Sequence, residues 1–344
     1  MSSRGGMYAR PPSSAFLTIV APYCSTPPVT ETSRQMDGAE SDFYEKIRTL
    51  PGAQGYEVPL LQGGVLHACD EAWVLSQLIQ PLSTGAQPRI VITCVPATMA
   101  AIGENPSFGL ASDDAAGRTA AVKLASLARD AASRANTAAG RSNFVAAVEL
   151  HSGPSRPQGS SSVASFQKSL EEICSWDWWG AALVVEHCDA FNPNYPPIKG
   201  LLTLEEELAA VRGARSTMGE RGSSSLGICI NWGRSVLETR DPATALLHCK
   251  AAAVEGLLHG LMFSGCSGDS GDYGPWTDCH SPLDVDAPGS LLTEARVRET
   301  VELCKSFSSL KFLGCKIKVS GQPSVEQRVA ANGRVLDAIA GILQ

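Results

Sequence analysis

The chain is poor in aromatic residues (6%) and in charge (18%), and no stretch of it is strongly basic. With a formal charge of −7 it offers no basic stripe to a nucleic-acid backbone or an anionic membrane surface, which sets both aside as partners. Long apolar runs are missing too: none approaches the ~20 residues that a bilayer-spanning helix needs. No Cys-x-x-Cys pair occurs among the 11 cysteines, so a structural zinc ribbon is not indicated. The number is odd, and Cys94, Cys188, Cys229 and Cys315 sit inside apolar runs, as free thiols in a core do. With no Asn-x-Ser/Thr sequon either, the reading is a reducing compartment and a cytoplasmic location. Two nucleotide signatures are also absent. No Gly-x-Gly-x-x-Gly follows the first apolar run, and no phosphate-binding Gly-x-x-x-x-Gly-Lys-Ser/Thr occurs.

What is present is a repeat of short apolar runs. They cover residues 15–22, 55–60, 89–96, 144–151, 181–188, 226–232, 257–264 and 311–318, each rich in Val, Ile and Leu. The first follows two arginines and could pass for the core of a signal peptide, but it is brief and broken by Pro22, so it is read as a strand. Helix signals separate the runs. Thr203 with Glu206 and Ser324 with Gln327 have capping-box spacing, and Asp241-Pro242 gives an N-cap with proline at the first helical position. Residues 113–138 are Ala-rich, and Val325, Val329, Val335, Leu336, Ile339, Ile342 and Leu343 recur at helical spacing. Eight strands alternating with helices predict an α/β fold, one (β/α)8 TIM barrel over residues 1–344. The first dozen residues and 24–40 read as mobile. The Gly, Pro and Ser-rich stretches 152–162, 189–200 and 265–290 all follow strands and so belong on the catalytic face.

Alternation along each run separates the inward side chains from the outward ones. Glu57, Glu149, His151, Glu186, Asn231 and Lys316 are predicted to face the barrel interior at the C-terminal ends of five strands, with Lys318 two residues beyond Lys316. Glu149 and Glu186 fall on adjacent strands, roughly 4.8 Å apart. Carboxylates that close share a proton, neutralise a cation or bind a divalent metal; the plainer alternative is an ion-pair network with Lys316 or Arg234. Arg234, with its planar fork, suits a carboxylate or phosphate on a substrate, or a salt bridge to Glu186 or Glu238. Asp189 lies just past strand five, within reach of a pocket. His187 and Trp232 face outward by alternation and are retained as substrate-binding candidates, with a supporting role for His187 an equal alternative. After strand seven, Ser264 and the Trp276-x-Asp278-x-His280 cluster offer an aromatic wall and an acid/base pair, or a loop held by its own hydrogen bonds. Gly268-Asp-Ser-Gly271 imitates the nucleophile segment of chymotrypsin-type proteases, but the all-β context that motif needs is absent.

Glu149-Leu-His151, Glu186-His-Cys-Asp189, Asn231-Trp-Gly-Arg-Ser235, Phe263-Ser-Gly265 and Trp276-Thr-Asp-Cys-His280 together resemble a mostly bacterial family described as a domain of unknown function, from about residue 16 onward. The resemblance implies a barrel related to the xylose-isomerase-like sugar isomerases and epimerases. Those barrels hold a divalent ion (Mg2+, Mn2+ or Zn2+) with carboxylates and a histidine, so Glu149, Glu186, Asp189 and His280 become candidate ligands. Strand eight departs from the pattern: Lys316 stands where an acidic ligand is expected, and its ammonium would repel a metal or replace its charge. The expected activity is an isomerase, epimerase or lyase acting on a small, polar or anionic sugar-like or hydroxy-acid substrate. Glu149, Glu186 and His151 would move the proton, and Arg234, Lys316 or a metal would stabilise the enediolate. Alternatives are a Schiff base on Lys316, glycoside hydrolysis by Glu149 and Glu186, and a non-catalytic barrel that binds a small polar ligand. A homo-oligomer is compatible with every one of these.

Overall fold

Each of the eight apolar runs contains a strand: β1 Leu17–Val20, β2 Gly55–Pro59, β3 Arg89–Thr93, β4 Val145–Leu150, β5 Ala182–His187, β6 Leu226–Asn231, β7 Leu258–Phe263 and β8 Phe312–Cys315. The structure is a computed structural model that describes residues 16–28, 38–218 and 225–343. The mobility expected of residues 1–12 and of 29–37 therefore lies outside the described residues. All neighbouring strands pair parallel, and β8 returns to β1 with Leu17 opposite Phe312, so the sheet closes into an eight-stranded barrel. It is the (β/α)8 fold that the alternation of runs and helix signals predicts.

The described helices are α1 Pro22–Ser25, α2 Ala39–Ile47, α3 Glu71–Leu78, α4 Val95–Glu104, α5 Ala115–Ala138, α6 Val163–Cys174, α7 Leu204–Thr217, α8 Trp232–Thr239, α9 Ala243–Val254, α10 Glu294–Cys304 and α11 Val325–Leu343. Thr203 and Glu206 close their capping box at α7, with Thr203 Oγ1 accepting from the Glu206 N–H. Ser324 and Gln327 make the reciprocal pair at α11. Asp241 acts one position earlier than a cap would: its carboxylate accepts from Ala243 N, and Pro242 already has helical φ and ψ. Along α5 the buried positions are mostly alanine, whose small side chains allow the helix to lie close against the barrel.

Inside the barrel, two layers of opposite character divide the strands lengthwise. The lower is apolar, built from Ile19, Val91, Ala147, Ala182, Val184, Cys229, Met262 and Phe312. Gly260 makes room for it: a methyl group added there would lie 2.4 Å from the Phe312 ring. Two residues further along the columns of β3 to β7 the inward positions turn polar, with Thr93, Glu149, Glu186, Asn231 and Ser264; Glu57 of β2 and Lys316 just past β8 join them, while the column of β1 continues with the apolar Ala21. The period-2 geometry of strands produces this division. Once one inward residue is placed, every second residue toward the C-terminal end rises through the same column.

Candidate active site

Glu186 is the hub of the polar layer. Its Oε1 is 2.6 Å from Arg234 Nη1, 3.0 Å from the donating Asn231 Nδ2 and 3.4 Å from Lys316 Nζ. Its Oε2 lies 2.9 Å from His151 Nε2 and 3.4 Å from Thr93 Oγ1. Burial alone would push this carboxyl's pKa up, but Arg234, Lys316 and His151 outweigh burial and hold it well below the usual range. Lys316 also donates to Glu57 Oε1 at 2.6 Å, and Tyr23 donates to the same oxygen at 3.0 Å. Glu186 and Glu57 thereby overcome the burial of Lys316 and keep it an ammonium. An ammonium is a poor nucleophile, so this arrangement does not favour a Schiff base on Lys316.

Glu149 is the opposite case. It stands in register with Thr93 and Val184, two residues below the level of Glu186, so the two carboxyls are diagonal neighbours and not directly opposed. Neither of its buried oxygens meets hydrogen-bond geometry with a described residue. Burial, then Glu186 and Glu57, raise its pKa well above the usual range, so it is held as the neutral acid. The unfolded carboxyl ionises near pH 4.3 whereas the folded one does so at higher pH, so the folded state binds more protons in between. Stability associated with Glu149 is therefore complete below the unfolded value and falls as pH rises toward the folded value. Glu149→Gln removes that slope. Thermal midpoints of variant and wild type measured from about pH 4.5 to 8 are expected to diverge in the variant's favour as pH rises, and a gap constant across that range would mean that Glu149 is ionised in the fold.

Above this layer opens a cavity of about 650 Å³, bordered by Tyr23, Cys24, Lys199, Arg234, Asp278, His280 and Lys318, with Tyr44, Val58, Val95 and Met99 on the apolar side. Asp278 links the layer to the cavity. Its Oδ2 accepts from Lys199 Nζ and, at 3.2 Å, from Arg234 Nε. Burial is outweighed there by Arg234 and Lys199, which hold Asp278 ionised. His280 Nδ1 is 3.4 Å from Asp278 Oδ1, and burial lowers its pKa to about 3, so the imidazole is neutral. Trp276 and His280 both adopt left-handed φ values of 55° and 56°, which non-glycine residues hold only under constraint from their surroundings.

The sequence candidates thus divide. Glu57, His151, Glu186, Asn231, Arg234, Ser264 and Lys316 meet in one buried network, with Ser264 Oγ donating to Asn231 Oδ1 at 2.6 Å, and Glu149 is buried beside it without a hydrogen bond to a described residue. Of these only Arg234 reaches the cavity wall, where it is joined by His280. Four candidates lie elsewhere. His187, the last residue of β5, turns toward the helices, and Trp232, the first residue of α8, packs in the apolar core; neither borders the cavity. Asp189 turns its Oδ2 to the backbone N–H groups of Ile198, Lys199 and Gly200 and so closes its own loop. Trp276 packs at the loop's rim, its ring 5.2 Å from the Arg240 guanidinium. Tyr23, Thr93 and Lys199 escaped sequence reading. Thr93 was legible from the alternation of β3, whereas Tyr23 and Lys199 come from irregular segments that no period governs.

The four residues named as metal ligands do not converge. Among the described residues, the donors that approach within 4.8 Å of one another are His151, Glu186 and Cys188 in one group and His187, Glu238 and His248 in another. The first suits a divalent ion poorly. Glu186 already faces a guanidinium and an ammonium, and burial pushes the Cys188 thiol up to about 12, away from the thiolate a metal would require.

Comparison with known proteins agrees with this architecture. The model of a family described as "Domain of unknown function (DUF4862)" matches residues 19–331. An uncharacterized protein of Salmonella typhimurium is 32% identical over 314 residues, 90% of this chain and 93% of that one. Among solved structures, a putative xylose isomerase from Rhodospirillum rubrum superposes with a TM-score of 0.58 at 11% identity, covering 95% of this chain and 98% of that one. A D-psicose 3-epimerase from Clostridium cellulolyticum, solved with D-tagatose, gives 0.54 at 10% identity over 95% and 100%. A xylose isomerase-like TIM barrel from Mycobacterium smegmatis in complex with magnesium gives 0.51 at 14% identity over 96% and 99%.

Proposed function

The chain belongs to the DUF4862 family, and we propose that it is an enzyme that moves a proton at a carbon beside a carbonyl, as an isomerase or epimerase of a sugar-like or hydroxy-acid substrate. One observation carries this reading: Asp278 and His280, 3.4 Å apart, border the same cavity as the Arg234 guanidinium, which also contacts Asp278. An acid/base pair beside a fixed cation in a cleft is a mark of such proton-transfer sites. The epimerase and isomerase names of barrels with the same fold make the reaction class a natural one for this scaffold.

In this reading Asp278 and His280, which border the cavity, exchange the proton, and Arg234 stabilises the developing enediolate oxygen. Glu186 fixes Arg234 from below, while Glu57 and Lys316 complete the charge balance around it. A substrate oxygen that draws Arg234 and Lys199 toward itself weakens their hold on Asp278 and makes that carboxylate more basic. Glycoside hydrolysis by Glu149 and Glu186 has less support, because neither residue borders the cavity.

The reaction can be sought without knowing the substrate. Incubated in D2O with a panel of ketoses, aldoses and keto acids, the enzyme is expected to introduce deuterium at the carbon next to the carbonyl of at least one compound, read by NMR. Asp278→Asn and His280→Ala are expected to slow that exchange about 100-fold or more. Saturable binding of panel members with no exchange in any of them would favour a non-catalytic barrel.

A further inference from the structure

Behind the barrel wall, on the face of β5 turned away from the cavity, His187 sits in a second polar cluster. Its Nδ1 is 2.7 Å from Glu207 Oε2 on α7, and its Nε2 is 3.1 Å from Glu238 Oε2 on α8. His248 on α9 meets the His187 ring edge-on, with centroids 4.9 Å apart, and its own Nδ1 lies 3.0 Å from Ser235 Oγ. His187 is fully buried, whereas Glu238 and His248 are partly open to solvent.

We propose that His187, Glu238 and His248 form a binding site for one divalent transition-metal ion of the Zn2+ type, separate from the cavity. One donor atom from each residue lies within 4.8 Å of the other two. Two imidazoles and one carboxylate are the donors that borderline ions such as Zn2+ and Co2+ prefer, and Mg2+ or Ca2+ do not. The 3.1 Å between His187 Nε2 and Glu238 Oε2 already matches the spacing of two ligands on a tetrahedral ion. Each histidine is also oriented as a ligand is. Glu207 holds Nδ1 of His187 and Ser235 holds Nδ1 of His248, which leaves Nε2 as the ligating nitrogen of each. Ser152 in turn donates to the other oxygen of Glu207 at 2.5 Å.

Charge points the same way. His187 lies between two carboxyl groups, 2.7 Å from Glu207 and 3.1 Å from Glu238. An ion on its Nε2 takes the place of the contact with Glu238 and leaves the Nδ1 contact with Glu207 as it is. The fourth position is left to water. An ion there would pin α8 and α9 to β5. It would also pin the loop after β5, whose Ala190 N–H and Asn192 side-chain amide donate to Glu238. That loop carries Lys199, so the site would fix the rim of the cavity from outside.

The test uses the full chain, stripped with a chelator, dialysed and titrated with Zn2+ or Co2+. Expected are one equivalent bound per chain and a raised thermal midpoint. The Co2+ form should show tetrahedral visible bands without a thiolate charge-transfer band. His248→Ala and the isosteric Glu238→Gln are each expected to abolish binding, whereas Cys188→Ser leaves it intact. The proposal fails if the wild type binds no ion. It fails equally if folded Glu238→Gln and His248→Ala still bind one equivalent, or if a thiolate band places the ion at Cys188.

Discussion

Lys316→Met is expected to destabilise the protein by roughly 3–5 kcal/mol, the usual cost of breaking a buried ion pair by removing one partner. The ammonium it removes contacts Glu57 at 2.6 Å and Glu186 at 3.4 Å, and all three side chains are fully buried. Without Lys316 the Glu57 carboxyl has only Tyr23 to offset its charge, since its second oxygen already lacks a partner. Glu57 then escapes by taking up a proton, so the loss is smaller in acid and grows toward alkaline pH. The second substitution in Lys316→Met/Glu57→Gln removes the stranded charge and is expected to recover much of the loss. Urea unfolding of the two single variants and the double gives the coupling directly. If the double variant loses the sum of the two single effects, the buried pair does not act as a unit.

Arg234→Lys is expected to slow proton exchange about 100-fold, although the charge is kept. The guanidinium reaches Glu186 through Nη1 and Asp278 through Nε at the same time, from a fully buried position on the first turn of α8. A lysine ammonium is a single point with no planar fork, so it can satisfy one carboxylate at the expense of the other. Among the described residues, the freed Asp278 then has Lys199 and His280 as its ion-pair partners. Hydrogen exchange of the backbone around residues 276–280 is expected to quicken in the variant, which separates a loosened loop from a purely chemical effect. An Arg234→Lys protein with wild-type exchange rates and an equally protected loop would show that the bridge is dispensable.

These effects depend on a layer that was largely legible in the sequence. The columns Ala147–Glu149–His151 and Val184–Glu186 point inward because strand side chains alternate, and that alternation can be read without coordinates. The same rule turned His187 and Trp232 outward, and the structure places both away from the cavity wall. His187 proved instead to belong to a separate cluster with Glu207, Glu238 and His248, residues spread over three helices. No pattern within one element announces such a meeting.

The eight strands, their closure and the polar character of the C-terminal layer can be read from the residues alone. Those features follow from local periodicity and from the requirement that parallel strands be covered by helices. Only the tertiary structure decided which polar groups face the cavity. Glu149 and Glu186 lie beneath it, while Asp278 and Lys199, from loops 79 residues apart, close over Arg234. The physical reason is that loop closure obeys no repeat. Lys199 and Asp278 come together because burying either charge alone is costly and Arg234 is already in place to share the carboxylate. That balance exists only once the barrel has brought all three to the same rim.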